Sequence, residues 1–516
     1  MSLDAPGPSI GGADASAEGQ PSPPEHVDVI LVGAGLSGIG AAWHLQHRCP
    51  GRSWLILEAR EAIGGTWDLF RYPGIRSDSD MFTLGYAFRP WTEAKAIADG
   101  PSILDYVRRT AAESGIDRKI RFRHRVKRAD WSSAEARWTV EAVREDSGET
   151  VRLTCNFLHM CSGYYDYARG HDPAFPGQER FAGRIVHPQF WPQDLDYRGR
   201  KVVVIGSGAT AVTLVPAMAE QAAYVTMLQR SPTYIVSRPS RDAIADTLRK
   251  LLPAKLAYAL VRWKNVLLQL LFFHLARKRP AKVKTKLLKL VRDELGDEYD
   301  VATHFTPRYN PWQQRLCLVP DADLFVAIRE GRASVVTDEI ETFTEKGLKL
   351  ASGAEIEADI VVTATGLKVQ LLGEVAFTID GAPCDFSRCL TYRGMMFSDV
   401  PNLAFSFGYT NASWTLKADL TALYLCRLLN HMAKTGCAVA VPRRDPGVEE
   451  APFIDFTSGY VQRALAALPK QGSRRPWKLH QNYALDLAAL RLGRVDDGTL
   501  AFLRCGEVAA HSTEAA

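Results

Sequence analysis

The sequence lacks the cysteine patterns of a disulfide scaffold or a zinc site, since its nine cysteines include no Cys-x-x-Cys pair and no zinc-like Cys/His spacing. An odd number of scattered cysteines is typical of reduced thiols, so we expect a cytoplasmic protein and predict no metal site. No basic start leads into an apolar run, and no secretory signal is predicted. Residues 1–26, rich in Pro, Gly, Ser and Ala, predict a disordered tail, and we assign residues 506–516 to a C-terminal tail.

Acidic residues are missing from one internal stretch. Between Arg249 and Arg292 there are 13 Lys or Arg and no Asp or Glu. Taking these 13 charges from the formal +5 of the chain leaves −8 for the rest. The positive charge belongs to one segment, and no nucleic-acid partner is predicted. A length of 516 residues predicts two or three domains.

This basic segment, residues 240–305, has the periodicity of helices. Its apolar and cationic positions recur at helical spacing: Val283, Leu287 and Leu290, and Lys282, Lys286 and Lys289. The apolar run upstream contains Arg262 and Lys264, and only 12 uncharged residues follow Lys264, fewer than the ~20 needed to cross a bilayer. Two interpretations remain open: a helical insertion packed on the second domain, or peripheral attachment to an anionic membrane.

A glycine-rich loop follows the strand-like run Val29–Val32 and precedes a helix-like run. Its candidate phosphate-binding residues are Gly33, Gly35, Ser37 and Gly38. Glu58 ends the next strand-like run, 20 residues after Gly38. A carboxylate at this distance accepts hydrogen bonds from a ribose diol. The unit therefore predicts a site for FAD.

A second glycine-rich loop follows Val202–Ile205, about 170 residues further along the chain. Its candidate residues are Gly206, Ser207, Gly208, Ala209, Thr210, Ala211 and Val212. Ala211 replaces the third glycine, which the fingerprint tolerates. The following strand ends at Arg230 and Ser231 instead of an acid. A guanidinium pairs with a 2′-phosphate, so this unit predicts a site for NADPH.

The two units predict an α/β protein with two Rossmann-like dinucleotide-binding domains and a helical insertion in the second. Strand-plus-glycine turns at residues 156–163 and 359–366 mark the crossings between domains. We therefore predict a discontinuous FAD domain, residues 27–165 and 360–505, around an NADP domain, residues 166–359. Strands at residues 120–126 and 138–143 are assigned to the FAD domain, where backbone atoms of Val126 would bind adenine. A helix after Asn411 is predicted to point its amino end at the flavin.

Two further motifs resemble type I Baeyer–Villiger monooxygenases. Residues 181–192 match the fingerprint Phe-x-Gly-x-x-x-His-x-x-x-Trp-Pro, and residues 64–78 match a second stretch of that family position for position. Within the family, the chain is most similar to the mycobacterial ethionamide-activating monooxygenases, from about His26 to Arg504. Residues 70–80, 309–320 and 411–420 carry this closer likeness.

The resemblance implies NADPH- and O₂-dependent insertion of oxygen beside a ketone carbonyl through a C4a-peroxyflavin, with oxidation of thioethers or thioamides as a second activity. It assigns Arg315 as the fixed catalytic cation and Asp78 as the carboxylate that orients it and also contacts FAD. It adds further binding residues: Thr66, Trp67, Asp68 and Leu69 for FAD, and Arg76 and Ser77 for NADP. Many family members carry lysine immediately before this arginine, where this chain has Gln314, so phosphate recognition would rest on Arg230 and Ser231.

Alternative functions remain. Flavin-containing N- and S-monooxygenases share the layout, but Trp191 favours the Baeyer–Villiger branch. Cys384 and Cys389 superficially match the redox pair of a flavin disulfide reductase, although such a pair normally follows the first acid. An Arg–Asp pair alone can be a simple salt bridge, and the same fold could bind a partner without turnover. His187, between the nucleotide units, is expected to couple the domains and not to carry protons.

Overall fold

The computed structural model describes residues 24–505 and residue 507. The predicted N-terminal tail, residues 1–26, lies outside the described residues up to residue 23. Its boundary is wrong, since Glu25 and His26 already pair with Leu153 and Thr154 in the first strand. Of the predicted C-terminal tail, residues 506–516, only Glu507 is described.

The first sheet carries the first glycine loop. In spatial order its strands are Ala382–Pro383, Ala376–Ile379, His124–Ser132, Arg137–Arg144, Thr150–Met160, Glu25–Val32, Trp54–Leu57 and Ile120–Arg121, and Leu403–Phe405 also pairs with Thr150–Met160. From Val29 to Val32, alternate residues enter the hydrophobic clusters on opposite faces of the sheet. The predicted strand 120–126 is broken in two, because Arg123 adopts a positive φ of 59°.

The second sheet carries the second glycine loop. Its parallel strands follow the order Ala333–Thr337, Tyr224–Gln229, Lys201–Ile205, Ile360–Thr363 and Arg184–Val186. Ile360–Thr363 pairs with strands on both sides. The prediction that the first domain resumes at residue 360 is therefore wrong by one strand. The chain leaves the second sheet after Thr363.

Strands Tyr165–Gly170 and Leu367–Val369 pair with each other where the chain passes between the two sheets. The remaining strands form smaller sheets: Ile235–Arg238 with Cys317–Pro320; Ile340–Thr344, Gly347–Leu350 and Glu355–Glu357; Thr391–Tyr392 with Met396–Phe397; Val439–Pro442 with Leu500–Leu503; and Glu450–Pro452 with Lys470–Gly472. The helices outside the insertion are Leu36–Arg48, Thr66–Leu69, Met81–Leu84, Gly100–Glu113, Ala209–Ala219, Asp323–Arg329, Trp414–Thr435, Gly459–Ala464 and Tyr483–Leu487.

The basic segment forms the helices Ala243–Leu251, Ala254–Lys278, Pro280–Leu295 and Val301–Phe305. The second of these contacts the first domain, because Arg262 donates to the carbonyls of Phe82 and Gly85 at 2.7 and 2.8 Å. For this helix, the prediction that the insertion packs on the second domain is wrong. The prediction is correct for helix Pro280–Leu295, whose Val291 enters the core of the second domain. The predicted apolar stripe is also shifted there, since Leu290 is exposed.

Among the described residues, Ala254–Lys278 is long and apolar enough to cross a membrane by length and composition, and 28% of its most apolar window is buried. Arg262 is buried and bonded to the first domain through this helix. Crossing a bilayer would require these contacts to break.

Candidate active site

The first glycine loop forms a sharp turn between strand Glu25–Val32 and helix Leu36–Arg48. Gly33 has φ +108°, and a Cβ there would lie 2.7 Å from the carbonyl oxygen of Cys161. No side chain caps the helix at Gly35, so its first N–H groups remain available to an anion. This arrangement fits the pyrophosphate of a dinucleotide.

Glu58 lies directly after strand Trp54–Leu57 and is buried. Its carboxylate accepts hydrogen bonds from the backbone N–H groups of Ala34 at 2.7 Å and Arg60 at 2.8 Å. Burial raises the pKa of Glu58. The side chain therefore braces the glycine loop. A carboxylate has about four acceptor positions, so two bonds leave room for the predicted ribose diol.

A cavity of about 430 Å³ lies between this loop and the second domain. The predicted residues on its wall are Gly33, Gly35, Ser37, Glu58, Thr66, Trp67, Arg76, Ser77, Asp78, Val126, Ala209 and Arg315. The structure thus brings the first loop, its acid and the predicted catalytic pair around one space.

Two residues predicted to contact FAD, Asp68 and Leu69, are not on this wall. The buried carboxylate of Asp68 pairs with Arg60 at 2.5 Å, Arg108 at 3.1 Å and Arg71 at 3.3 Å. The Asp68 carboxylate, which the prediction assigned to the cofactor, thus forms ion pairs with three guanidinium groups. The assignment of Asp68 and Leu69 to FAD stays a prediction. Gly38 is also off the wall and packs behind the loop, where a Cβ would meet the carbonyl oxygen of Gly33.

The second glycine loop lies at the carboxyl end of Lys201–Ile205 and precedes helix Ala209–Ala219. Gly208 caps this helix without a side chain, and a Cβ there would meet nothing within 4 Å. Ser207 Oγ donates to the carbonyl of Ser231 at 3.0 Å, and Arg230 is exposed beside it. Except for Ala209, these residues, together with Gly206, Thr210, Ala211 and Val212, lie outside the large cavity wall. Gly208, Ala209 and Arg230 are exposed, whereas Ala211 and Val212 are buried in the hydrophobic core of the second domain and are not available to a ligand. The exposed residues lie at the amino end of the helix, which favours a phosphate group.

Arg315 and Asp78 form an ion pair, with Nη1 3.1 Å from Oδ2. Both line the large cavity and also a second cavity of about 120 Å³. Their side chains keep 40% and 39% exposure, since they face these two spaces. The carboxylate of Asp78 raises the pKa of Arg315 further above its ordinary value. A permanent cation therefore lies where the two cavities meet.

Arg76 and Ser77 precede this pair and already have protein partners. The Arg76 guanidinium pairs with Asp323 of the second domain, with Nη2 3.3 Å from Oδ1. Ser77 Oγ accepts the N–H of Ser79 at 3.0 Å. Both line the cavity, and the prediction that they bind NADP stays a prediction. The Arg76–Asp323 pair also joins the two domains beside the site.

Sequence reasoning missed an aromatic cluster on the cavity wall. Tyr164 stacks on Trp414 with ring centroids 5.2 Å apart, and Trp414 Nε1 donates to Ser37 Oγ at 2.8 Å. Tyr165 donates to Thr66 Oγ1 at 2.7 Å. Burial raises the pKa of Tyr164 to about 12, and the nearby Arg315 opposes the rise. The signal was present, because these tyrosines directly follow the strand-plus-glycine turn at Gly163.

His187 follows strand Arg184–Val186 of the second sheet, and its role in coupling the domains stays a prediction. Its ring fills the space beside Gly170, where a Cβ would lie 2.1 Å from Cε1. Gln189 donates to the carbonyls of Asp166 and Tyr167 at 2.8 and 3.0 Å. The fingerprint segment therefore holds the strand that links the two sheets. Burial lowers the pKa of His187.

Two further features concern a possible redox pair of cysteines and a possible metal site. Cys384 and Cys389 are free and do not line the large cavity, so nothing in the described residues places a redox pair beside the flavin site. Within residues 24–505 and 507, no group of three or more His, Cys, Asp or Glu has metal-binding geometry.

The chain is similar to known flavin-dependent monooxygenases. Residues 95–371 match the family "Flavin-binding monooxygenase-like", and residues 31–99 match "NAD(P)-binding Rossmann-like domain". The chain is 58% identical over 482 residues to "FAD-containing monooxygenase EthA" of Mycobacterium tuberculosis, covering 93% of this chain and 98% of that protein. The EthA protein of Mycolicibacterium smegmatis is 55% identical over 483 residues, covering 93% and 98%.

Solved structures show the same fold at lower identity. "Oxidized steroid monooxygenase bound to NADP" superposes with a TM-score of 0.70 at 23% identity, covering 93% of this chain and 100% of that chain. "Open crystal structure of cyclohexanone monooxygenase" gives a TM-score of 0.71 at 18% identity, covering 93% and 99%.

Two Rossmann-type units that meet at one cavity define a two-dinucleotide flavoenzyme. The chain belongs to the flavin-binding monooxygenase family, together with the EthA proteins. The predicted fold class and the predicted class of flavin-dependent monooxygenase are confirmed. The nicotinamide cofactor NADPH and the Baeyer–Villiger reaction belong to the proposal below. The assignment of individual residues to each cofactor belongs to the proposal below.

Proposed function

We propose that the chain is a Baeyer–Villiger monooxygenase that inserts one atom of O₂ beside a ketone carbonyl, giving an ester or lactone, while the other atom leaves as water. NADPH supplies the two electrons. Thioether or thioamide sulfur would be a second substrate class. The observation that carries the proposal is the Arg315–Asp78 pair at the junction of two cavities.

The first domain is assigned to FAD, through the loop at Gly33, the uncapped helix at Leu36 and the carboxylate of Glu58. Bound FAD would supply the chemistry that activates O₂. The wall residues of the large cavity position it, and the Tyr164–Trp414 stack closes one side. With both boundaries corrected, this domain comprises residues 25–165 and 364–505.

The second domain, residues 166–363, is assigned to NADPH. The uncapped helix at Ala209 and the exposed Arg230 would hold its phosphates. Gln314 cannot supply the positive charge that lysine provides at this position in many relatives. Recognition of the 2′-phosphate then depends on Arg230, supported by Ser231.

Arg230→Ala is expected to raise the KM for NADPH about 10–100-fold and to leave the KM for NADH nearly unchanged. A charge-assisted hydrogen bond contributes about 1.5–3 kcal/mol, and only NADPH carries the phosphate that receives it. Steady-state kinetics with both nucleotides measure this difference. Equal effects on the two nucleotides would contradict the assignment.

Arg315 would act through its permanent charge. A guanidinium does not lose its proton in a protein, so it stabilises negative charge on oxygen throughout the reaction. From the junction of the cavities it can face the flavin on one side and a substrate carbonyl on the other. Its donors would stabilise the oxyanion that forms when the carbonyl is attacked. Asp78 fixes the direction in which the guanidinium points.

Asp78→Asn is expected to lower the rate of ester formation by about tenfold or more while changing the free energy of unfolding little. The pair is about 40% exposed, and exposed ion pairs contribute only about 0–1 kcal/mol to stability. Its contribution to catalysis depends on orientation. Thermal unfolding and product formation, measured on the same preparation, separate the two effects. A large loss of stability with a normal rate would make the pair structural.

The test of the proposed function is oxygen-dependent NADPH oxidation with aryl, cyclic and long-chain ketones, followed by product analysis. Esters or lactones would support the proposal. Sulfoxides from thioethers without any ester would favour the flavin-containing S-monooxygenase. A purified protein without bound flavin and without turnover would favour a binding protein.

We also propose that the basic insertion contacts a membrane surface. Its long helix exposes leucine side chains to solvent, and the neighbouring helix carries unpaired lysines such as Lys282 and Lys286. An exposed apolar stripe next to cations is the pattern of an interfacial helix.

A further inference from the structure

The helix Ala254–Lys278 has two faces with different surroundings. Its buried face donates to first-domain carbonyls through Tyr258 and Arg262. Its opposite face exposes large apolar side chains at helical spacing: Leu256, Leu260, Trp263, Leu267, Leu271 and Leu275. Their exposed fractions lie between 37% and 56%. This stripe spans about 29 Å at 1.5 Å per residue, far more than the isolated exposed leucine that a soluble surface tolerates.

The same helix forms part of the small cavity beside the catalytic pair. Gln269 and Phe272 line that cavity together with Arg315 and Asp78. Gln269 also donates to Asp80 at 3.2 Å, two residues from Asp78. Since Phe272 follows the exposed Leu271 in the helix, the cavity lies within one helical turn of the apolar stripe.

The walls of the small cavity suit an apolar substrate with one polar group. Phe272 and Phe273 make edge contacts with Trp312, with ring centroids 6.5 and 5.7 Å apart. Gln269 Oε1 and Trp312 Nε1 are buried and have no hydrogen-bond partner. The rest of the wall combines apolar residues such as Leu316 and Leu318 with polar ones such as Thr410 and Asn411. A wall of apolar and polar groups accepts a ligand that has an apolar body and a polar group.

We infer that the exposed stripe of Ala254–Lys278 inserts into the surface of an anionic bilayer, and that apolar ketone or sulfur substrates dissolved in that bilayer reach Arg315 along this helix. The substrate part rests on the proposed function. The bilayer part extends the proposed membrane contact and does not depend on the oxygenation reaction.

The positive charge around the apolar stripe favours an anionic membrane, and not a second copy of the chain, as the partner that covers the stripe. The stretch from Arg249 to Arg292 contains 13 basic and no acidic residues. Two copies docked through this face would bring its exposed cations together, among them Lys255, Lys278 and Lys282, which is unfavourable. Anionic lipid headgroups attract Lys and Arg close to the surface. Insertion would be partial, because Arg262 keeps the other face bonded to the protein.

Flotation of the full-length FAD-loaded protein with vesicles tests the surface. Vesicles of phosphatidylcholine and phosphatidylglycerol in equal parts should bind the protein at least tenfold more strongly than pure phosphatidylcholine, and 0.5 M salt should weaken this binding. The variant Leu267→Glu/Leu271→Glu should lose at least tenfold in binding. Lys282→Glu/Lys286→Glu should lose binding to anionic vesicles only. Tyr224→Glu, at an exposed aromatic of the second domain, is the matched control and should bind like the wild type.

Product formation tests the substrate route. With a water-soluble aryl ketone, Leu267→Glu/Leu271→Glu should react within about twofold of the wild-type rate. With a long-chain ketone dissolved in anionic vesicles, its rate should fall at least tenfold. Arg315→Ala should lose both reactions and still float with vesicles, so failure of the proposed oxygenation and failure of the membrane contact give different results.

Three outcomes would overturn the inference. The first is failure of the wild type to float with anionic vesicles at low salt. Both charge-changing variants could float like the wild type. Analytical ultracentrifugation could show a dimer that Leu267→Glu/Leu271→Glu dissociates while vesicles bind nothing, which would assign the stripe to a second copy.

Discussion

Arg315→Ala is expected to lower the rate of ester formation from a ketone by about 10²–10³, the usual effect of removing one oxyanion-stabilising donor. Arg315 is the fixed cation at the junction of the two cavities. The second glycine loop and Arg230, proposed to hold NADPH, lie elsewhere. The variant should therefore keep its rate of reduction by NADPH within a few-fold. Stopped-flow reduction and product chromatography measure the two rates separately.

Arg315→Lys provides the control for charge. Lysine retains a positive charge but lacks the planar, multi-donor geometry of guanidinium. We expect an ester rate between those of Arg315→Ala and the wild type. If Arg315→Ala formed ester at the wild-type rate, the guanidinium would have no role in the chemistry and the pair with Asp78 would be a surface salt bridge.

Gly38→Ala is expected to yield a protein that retains little FAD. A Cβ at Gly38 would lie 1.8 Å from the carbonyl oxygen of Gly33, a backbone atom that cannot rotate away as a side chain can. Helix Leu36–Arg48 would have to move away from the loop that it fixes. Forcing one methyl group into such a contact costs about 1–3 kcal/mol or more, and the phosphate site moves with the helix. The flavin-to-protein absorbance ratio and thermal unfolding measure both effects.

Gly208→Ala is the matched control in the second loop. A Cβ at Gly208 would meet nothing within 4 Å, and its φ of −81° is accessible to alanine. FAD content and the free energy of unfolding should therefore stay close to wild type. Flavin retention by Gly38→Ala at the wild-type ratio would contradict the assignment of the first loop to the cofactor.

The sequence was sufficient to predict the parts of the fold that local chemistry determines. Each glycine loop occurs between a buried parallel strand and an uncapped helix, because the strand, the turn and the helix each have a local pattern. Glu58 and Arg230 follow the strands that were predicted for them. The strand at residues 360–363 was assigned to the wrong domain, since its sequence shows that it is buried but not which strands it joins.

Contacts between distant residues could not be predicted in this way. The cluster of Asp68 with three arginines and the bridge from Arg76 to Asp323 depend on tertiary placement, and no motif signals them. The long basic-segment helix was expected on the second domain. The helix is attached to the first domain through hydrogen bonds from Arg262 to the backbone carbonyls of Phe82 and Gly85. Because every residue has a backbone carbonyl, the sequence cannot indicate these acceptors.

The most direct test of the central claim is a single turnover with ¹⁸O₂ and a ketone, run in parallel on the wild type and Arg315→Ala. Mass spectrometry of the products follows the labelled oxygen. The wild type should give an ester with one ¹⁸O atom next to the carbonyl, and the variant should return unlabelled ketone and release labelled hydrogen peroxide. Equal amounts of labelled ester from both proteins would contradict the role of Arg315.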